Sequence, residues 1–115
     1  MNLTDARFIL CSFPRLGIKS KAIYDHCEKL VIGNKDTLTL NHIEQLMVTT
    51  QGARQLSKGY YEALGDRLGA LVEKSKGINK LTGDVLVKSL KSWESLGLYV
   101  NEQLRTKVAN LIQSE

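Results

Sequence analysis

The chain has 115 residues, with 16 Lys and Arg against 12 Asp and Glu, which suits one compact domain or a stretch of repeat array and excludes two independent domains. An apolar share of 43% supplies a core and excludes disorder over most of the length, and no run approaches the ~18 apolar residues of a membrane span. A net charge of +4 permits an anionic partner without requiring one.

Apolar residues recur at helical spacing along nearly the whole chain, and no run alternates with period two far enough to argue for a strand, so an all-α fold of six helices is expected. The first helix is expected over about 5–16, with Thr4 as N-cap and Pro14 kinking the last turn. The second, about 21–32, follows Ser20, carries the stripe Ile23, Cys27, Leu30 and Val31, and ends at Gly33. A third over about 40–53 starts from Thr39 and includes the apolar stretch Ile43 to Val48. The fourth, about 58–74, follows Ser57, buries Tyr61, Leu64, Leu68, Leu71 and Val72, and stops before Gly77. The fifth, about 83–96, is capped by Thr82 and closed by Gly97. The sixth, about 102–113, opens at Asn101 and carries Leu104, Val108, Leu111 and Ile112 on one face.

An internal repeat organises these helices. Ser12-Phe13-Pro14-Arg15-Leu16-Gly17 and Ser92-Trp93-Glu94-Ser95-Leu96-Gly97 share the pattern Ser-aromatic-x-x-Leu-Gly. A Leu-Thr pair opens each expected hairpin, at Leu3-Thr4, Leu38-Thr39 and Leu81-Thr82. The middle copy aligns with the last without gaps, although Ala53-Arg54 stands where the others have Leu-Gly. Tyr24, Tyr61 and Leu104 then fall at one place early in the second helix of each hairpin. Residues 1–115 therefore read as a single helical-repeat domain with units near 3–33, 38–77 and 81–114. The expected architecture is a right-handed α-solenoid of three hairpins, with a six-helix bundle as the alternative. Phe13, Leu16, Tyr24, Leu64, Trp93, Leu96 and Leu104 are its expected continuous core.

The Leu-Thr opening, the helix ending Ser-Phe-x-x-Leu-Gly, and the following Ile23-Tyr24-Asp25-His26-Cys27-Glu28-Lys29-Leu30-Val31 helix resemble the degenerate helical-hairpin repeats of mitochondrial proteins. The nearest likeness is to the FAST-kinase-like and heptatricopeptide group, related in style to pentatricopeptide proteins. The resemblance implies a mitochondrial location and work on organellar RNA or in organellar ribosomes. The group's carboxy-terminal RAP domain has no counterpart here, and the irregular units carry over no base-reading code.

Nothing in the sequence marks a catalyst. Cys11, Cys27, His26 and His42 lack zinc-site spacing, and both cysteines sit in apolar runs as small hydrophobes, so no metal and no cofactor is expected. The glycines at 52, 59, 65 and 69 match no phosphate-loop pattern. Gly65-x-x-x-Gly69 lies in a charged helix, where it points to another helix packed closely against its backbone. Residues 70–91 hold five basic and two acidic side chains, the excess coming from Lys74, Lys76, Lys80, Lys88 and Lys91. These five are the candidate contacts to RNA backbone, since lysine is a flexible point charge suited to phosphates and poor at reading bases. Tyr60 and Tyr99 are candidate stacking platforms, with Tyr61 and Trp93 assigned to the core. The expected role is non-enzymatic: an interaction subunit of a mitochondrial ribonucleoprotein, contacting RNA and neighbouring proteins. The alternative is an accessory subunit of another mitochondrial complex, such as the ATP synthase, that binds protein only. Neither membrane insertion nor a small-molecule substrate is expected.

Overall fold

The computed structural model describes residues 2–49 and 56–113. Within them the chain is all-α, with six helices: α1 Leu3–Ser12, α2 Lys21–Gly33, α3 Leu40–Thr49, α4 Lys58–Lys74, α5 Lys80–Leu96 and α6 Glu102–Leu111. A 3-10 turn, Lys35–Thr37, links α2 to α3. The expected end of the third helix at 50–53, with Gly52 and Ala53-Arg54, and the last residue of the third unit lie outside the described residues.

Helix starts follow asparagine more than threonine. Asn2 caps α1 by accepting from the Asp5 N–H at 2.9 Å, and Asn79 caps α5 by accepting from Leu81 at 2.8 Å. Thr4 and Thr82 therefore sit inside helices rather than at their starts. Asn101 caps α6 as expected, accepting from Leu104 at 2.9 Å. Thr39 and His42 form a reciprocal cap on α3: the His42 N–H donates to Thr39 Oγ1 and the Thr39 N–H to His42 Nδ1, both at 3.3 Å. Burial first, and then the Arg7 charge, lower the His42 pKa, which keeps that imidazole nitrogen free to accept.

The Ser-aromatic-x-x-Leu-Gly repeat folds the same way twice. Gly17 and Gly97 are left-handed, at φ 73° and 71°, and the next N–H in each copy reaches back to the aromatic residue's carbonyl at 3.0 Å, from Ile18 to Phe13 and from Leu98 to Trp93. Such a bond satisfies a carbonyl that the helix end leaves without a donor. In the first copy Pro14 has no N–H for the Leu10 carbonyl, so α1 stops at Ser12 rather than running kinked to 16. Gly33 and Gly77 have no left-handed backbone and close nothing in this manner.

Each expected hairpin forms, α1 on α2, α3 on α4 and α5 on α6; the odd helices also pack in series, α1 on α3 on α5, and the even ones likewise. The α5–α6 turn lies beside the first turns of α4, and the 75–79 linker lies beside the residues that follow α6. Two contacts pin this arrangement. Within the second unit, Arg67 Nε of α4 donates to the Leu38 carbonyl at 3.0 Å. Between the first and second hairpins, Ser57 at the start of α4 donates its N–H to Glu28 Oε2 at 3.1 Å and its hydroxyl to Glu28 Oε1. A buried carboxylate there also faces the positive end of α4.

Two strand residues on each side depart from the expected absence of strands. Ile78–Asn79 (β1) pairs in parallel with Ile112–Gln113 (β2), Ile78 opposite Ile112. Pairs this short leave no period-two trace in the sequence; this one arises because the α4–α5 linker and the residues after α6 are brought side by side. Ile112 thereby belongs to β2 and not to the last turn of α6.

Tyr24, Leu64, Trp93 and Leu104 are buried as expected, as is Tyr61, while Phe13 packs at the core margin. Leu16 and Leu96 are not core residues: they are 71% and 60% exposed. In both copies that leucine immediately precedes the left-handed glycine, where the chain has already turned away from the packed face. Tyr60 is fully buried and offers no stacking platform. Its ring begins an edge-to-face series, with centroids 5.3 Å apart for Tyr60–Tyr61, 5.0 Å for Tyr61–Trp93 and 6.4 Å for Trp93–Tyr99. Burial, and after it the Glu28 charge, push the Tyr61 phenol up to about 12. Trp93→Ala is expected to cost about 3–5 kcal/mol in urea unfolding, whereas Leu96→Ala stays within about 0.5 kcal/mol. Equal losses at the two positions would contradict this division of the repeat motif.

Candidate functional site

Three of the five lysines stand where α4 passes into α5, and the other two lie along α5. Lys74 ends α4, Lys76 lies in the linker, Lys80 opens α5, and all three are exposed. Lys88 and Lys91 stand one turn apart on α5. Leu86, Leu90 and Trp93 turn one side of that helix into the core, and at ~100° per residue Lys88 points directly away from it. The structure thus groups Lys74, Lys76 and Lys80 around the corner and sets Lys88 and Lys91 about 12–16 Å further along α5.

The corner is held by its own sequence. Ser75 N–H donates to the Val72 carbonyl at 3.1 Å to end α4, and the Ser75 hydroxyl donates to the Gly77 carbonyl at 2.8 Å. Ile78, 2% exposed, anchors the linker in the core, and its pairing with Ile112 ties it to the end of α6. Gly83 makes that pairing possible: a Cβ there would overlap the Ile112 side chain. A glycine inside a helix was the available signal for such a close approach, as it was at Gly65. At Gly65 the approaching group is the Tyr99 ring from the α5–α6 turn, not another helix, while a Cβ at Gly69 would stand 3.9 Å from Leu104, an ordinary contact.

Among the described residues the ion pairs are Arg105–Glu94 at 3.5 Å and Lys107–Glu73 at 3.7 Å. Glu73, the acidic neighbour of Lys74, is therefore directed to α6, and none of the five lysines is paired with a described carboxylate. Asp84 shares the outward face of α5, one turn before Lys88. Leu81, 75% exposed, sits among these charges and carries no sequence signal that would set it apart from a core leucine.

Open grooves among the described residues lie elsewhere. One, of about 470 Å³, runs between α1 and α3 past Cys11, Arg15, Glu44 and Val48. Another, of about 360 Å³, lies between Lys58, Glu62 and Asp66 of α4 and Tyr99 of the α5–α6 turn. Among the described residues no three His, Cys, Asp or Glu side chains gather as a metal site. Cys27 is buried, which pushes its thiol up, and His42 is committed to its cap. No helix is long and apolar enough to cross a membrane among the described residues. Comparison with known family models, curated proteins and solved structures gives no match.

Gly83 and Gly59 provide a test of what positions the corner. Gly59 lies on an exposed turn of α4 with ordinary space around it, so Gly59→Ala is expected to add about 0.5–1 kcal/mol through helix propensity. Gly83→Ala meets Ile112, and overpacking of about 1–3 kcal/mol is expected to exceed the same propensity gain. Equal stabilisation of both variants in urea would show that Ile112 does not sit against α5.

Proposed function

We propose that the chain is a non-enzymatic helical-repeat subunit of a mitochondrial ribonucleoprotein, such as a ribosome or an RNA-processing complex, contacting RNA backbone through Lys74, Lys76, Lys80, Lys88 and Lys91. The observation that carries this reading is the set of five exposed lysines along one corner and one helix face, none paired with a described carboxylate. Unpaired cations on a structured edge attract a polyanion, and releasing the counterions of its phosphates supplies the affinity. The compartment follows from the resemblance of the repeat to mitochondrial helical-hairpin proteins. The architecture proposed is a right-handed α-solenoid of three hairpins. It is supported by packing of odd helices on odd and even on even, which is what stacking one hairpin on the next produces.

A second reading is carried by a different observation. Leu16 and Val100 are 71% and 67% exposed on the α1–α2 and α5–α6 turns, and Leu96, 60% exposed, ends α5 at the end opposite Lys80. Exposed apolar side chains of this size suit a protein partner. In an accessory subunit that binds protein only, as in another mitochondrial complex such as the ATP synthase, these residues alone form the working surface.

Converting all five lysines to Gln separates the readings. With RNA, the change is expected to remove most binding for every sequence alike and to flatten the salt dependence by about 0.7–0.9 in log–log slope per lost contact. The thermal melt is expected to stay near that of the parent, because exposed lysines contribute within about ±0.5 kcal/mol each. Parental RNA affinity and salt slope in the variant would remove the lysines as the site, and a parent with no RNA affinity would favour the protein-only reading.

A further inference from the structure

We infer that the Lys74–Lys91 corner takes base-paired RNA in preference to single-stranded RNA; the inference rests on the RNA-contact reading proposed above. Proteins that hold single strands combine a basic track with exposed aromatic rings on which successive bases stack. The rings of this chain lie elsewhere. Of two Phe, four Tyr and one Trp, Tyr24, Tyr60, Tyr61 and Trp93 are buried, and Phe13 and Tyr99 pack against the core. Phe8 is 68% exposed, but it belongs to α1, which α3 separates from α5. An unstacked base lying over the lysines meets Leu81, which has no π face.

The mounting of the cations points the same way. Lys76 is carried by a linker fixed on both sides, by the Ser75–Gly77 hydrogen bond at 2.8 Å and by the parallel pairing of Ile78 and Asn79. Lys80, Lys88 and Lys91 ride on one continuous helix capped by Asn79, and Lys80 to Lys91 spans about 16 Å. A duplex offers its phosphates as a fixed lattice and keeps its bases stacked, so point charges carried on a fixed backbone meet it without first ordering the nucleic acid. An A-form duplex closes its major groove to side chains and is recognised through shape and backbone. Lysines, which lack the planar fork needed for base edges, suit that mode.

The test is fluorescence anisotropy with a blunt RNA duplex of about 16 base pairs and with each of its strands alone, chosen to be unstructured and titrated over a range of salt. The duplex is expected to bind at least about tenfold more tightly than either strand and with a steeper salt dependence. Its binding is expected to weaken strongly in the five-Gln variant and partially in Lys88→Gln/Lys91→Gln, the double variant deciding the matter if the larger change alters the melt. A strand that binds as tightly as the duplex, or more tightly, would overturn the preference while leaving RNA contact standing. Binding of neither would remove both. A double variant with a parental melt and parental duplex affinity would show that α5 does not touch the duplex.

Discussion

The edge-to-face contact between Tyr61 and Trp93, 5.0 Å between centroids, is the constraint on which the third hairpin depends. Tyr61 comes from α4 and Trp93 from α5, so the pair bridges the even and odd series of helices. The flanking rings extend it: Tyr60 on one side, and on the other Tyr99, whose ring lies against Gly65. Each ring pair adds about 0.5–1.5 kcal/mol beyond the area it buries. Trp93 Nε1 is buried without an acceptor among the described residues, a cost of about 1–3 kcal/mol that the buried ring more than offsets. With Trp93 inward, the helical period turns Lys88 outward. Core packing and the candidate RNA face are thus two sides of one helix.

Much of this was legible in the sequence because it is set by local periodicity. The stripes of α2, α4 and α6 are buried, or nearly so, along the residues that the 3.6-residue period selects, and the common place of Tyr24, Tyr61 and Leu104 corresponds to three buried side chains. The repeated Ser-aromatic-x-x-Leu-Gly motif marked two helix ends of one geometry. What escaped depends on which neighbours the chain brings together. Leu16 and Leu96 satisfy an apolar pattern, yet each falls where the left-handed turn begins and nothing packs over it. Thr4 and Thr82 are good caps by composition, but Asn2 and Asn79 lie earlier and take the first free N–H groups. The β1–β2 pairing exists only because the end of α6 returns to the start of α5.

The lysine corner was legible as charge, but not as geometry. Composition locates an excess between residues 70 and 91, whereas the structure divides it into a corner group and a pair on the outward face of α5. It also turns one of the two acidic residues of that stretch away from the lysines, since Glu73 pairs with Lys107 of α6 at 3.7 Å. The rigid linker between Lys74 and Lys80 follows from Ser75, Ile78 and Asn79, whose hydrogen bonds and burial leave Lys76 on a defined loop. Leu81 alone among these positions is apolar and exposed, and it gives the face a patch that neither charge nor core periodicity identifies.

The most direct measurement of the central claim is a lysine footprint: acetylation of the intact chain with and without bound duplex RNA, read residue by residue by peptide mass spectrometry. RNA contact at the corner predicts that Lys74, Lys76, Lys80, Lys88 and Lys91 become protected while Lys19, Lys21, Lys58 and Lys107, all exposed, react as before. Protection centred on Lys19, Lys21 and Lys58, or spread evenly over every lysine, would contradict it.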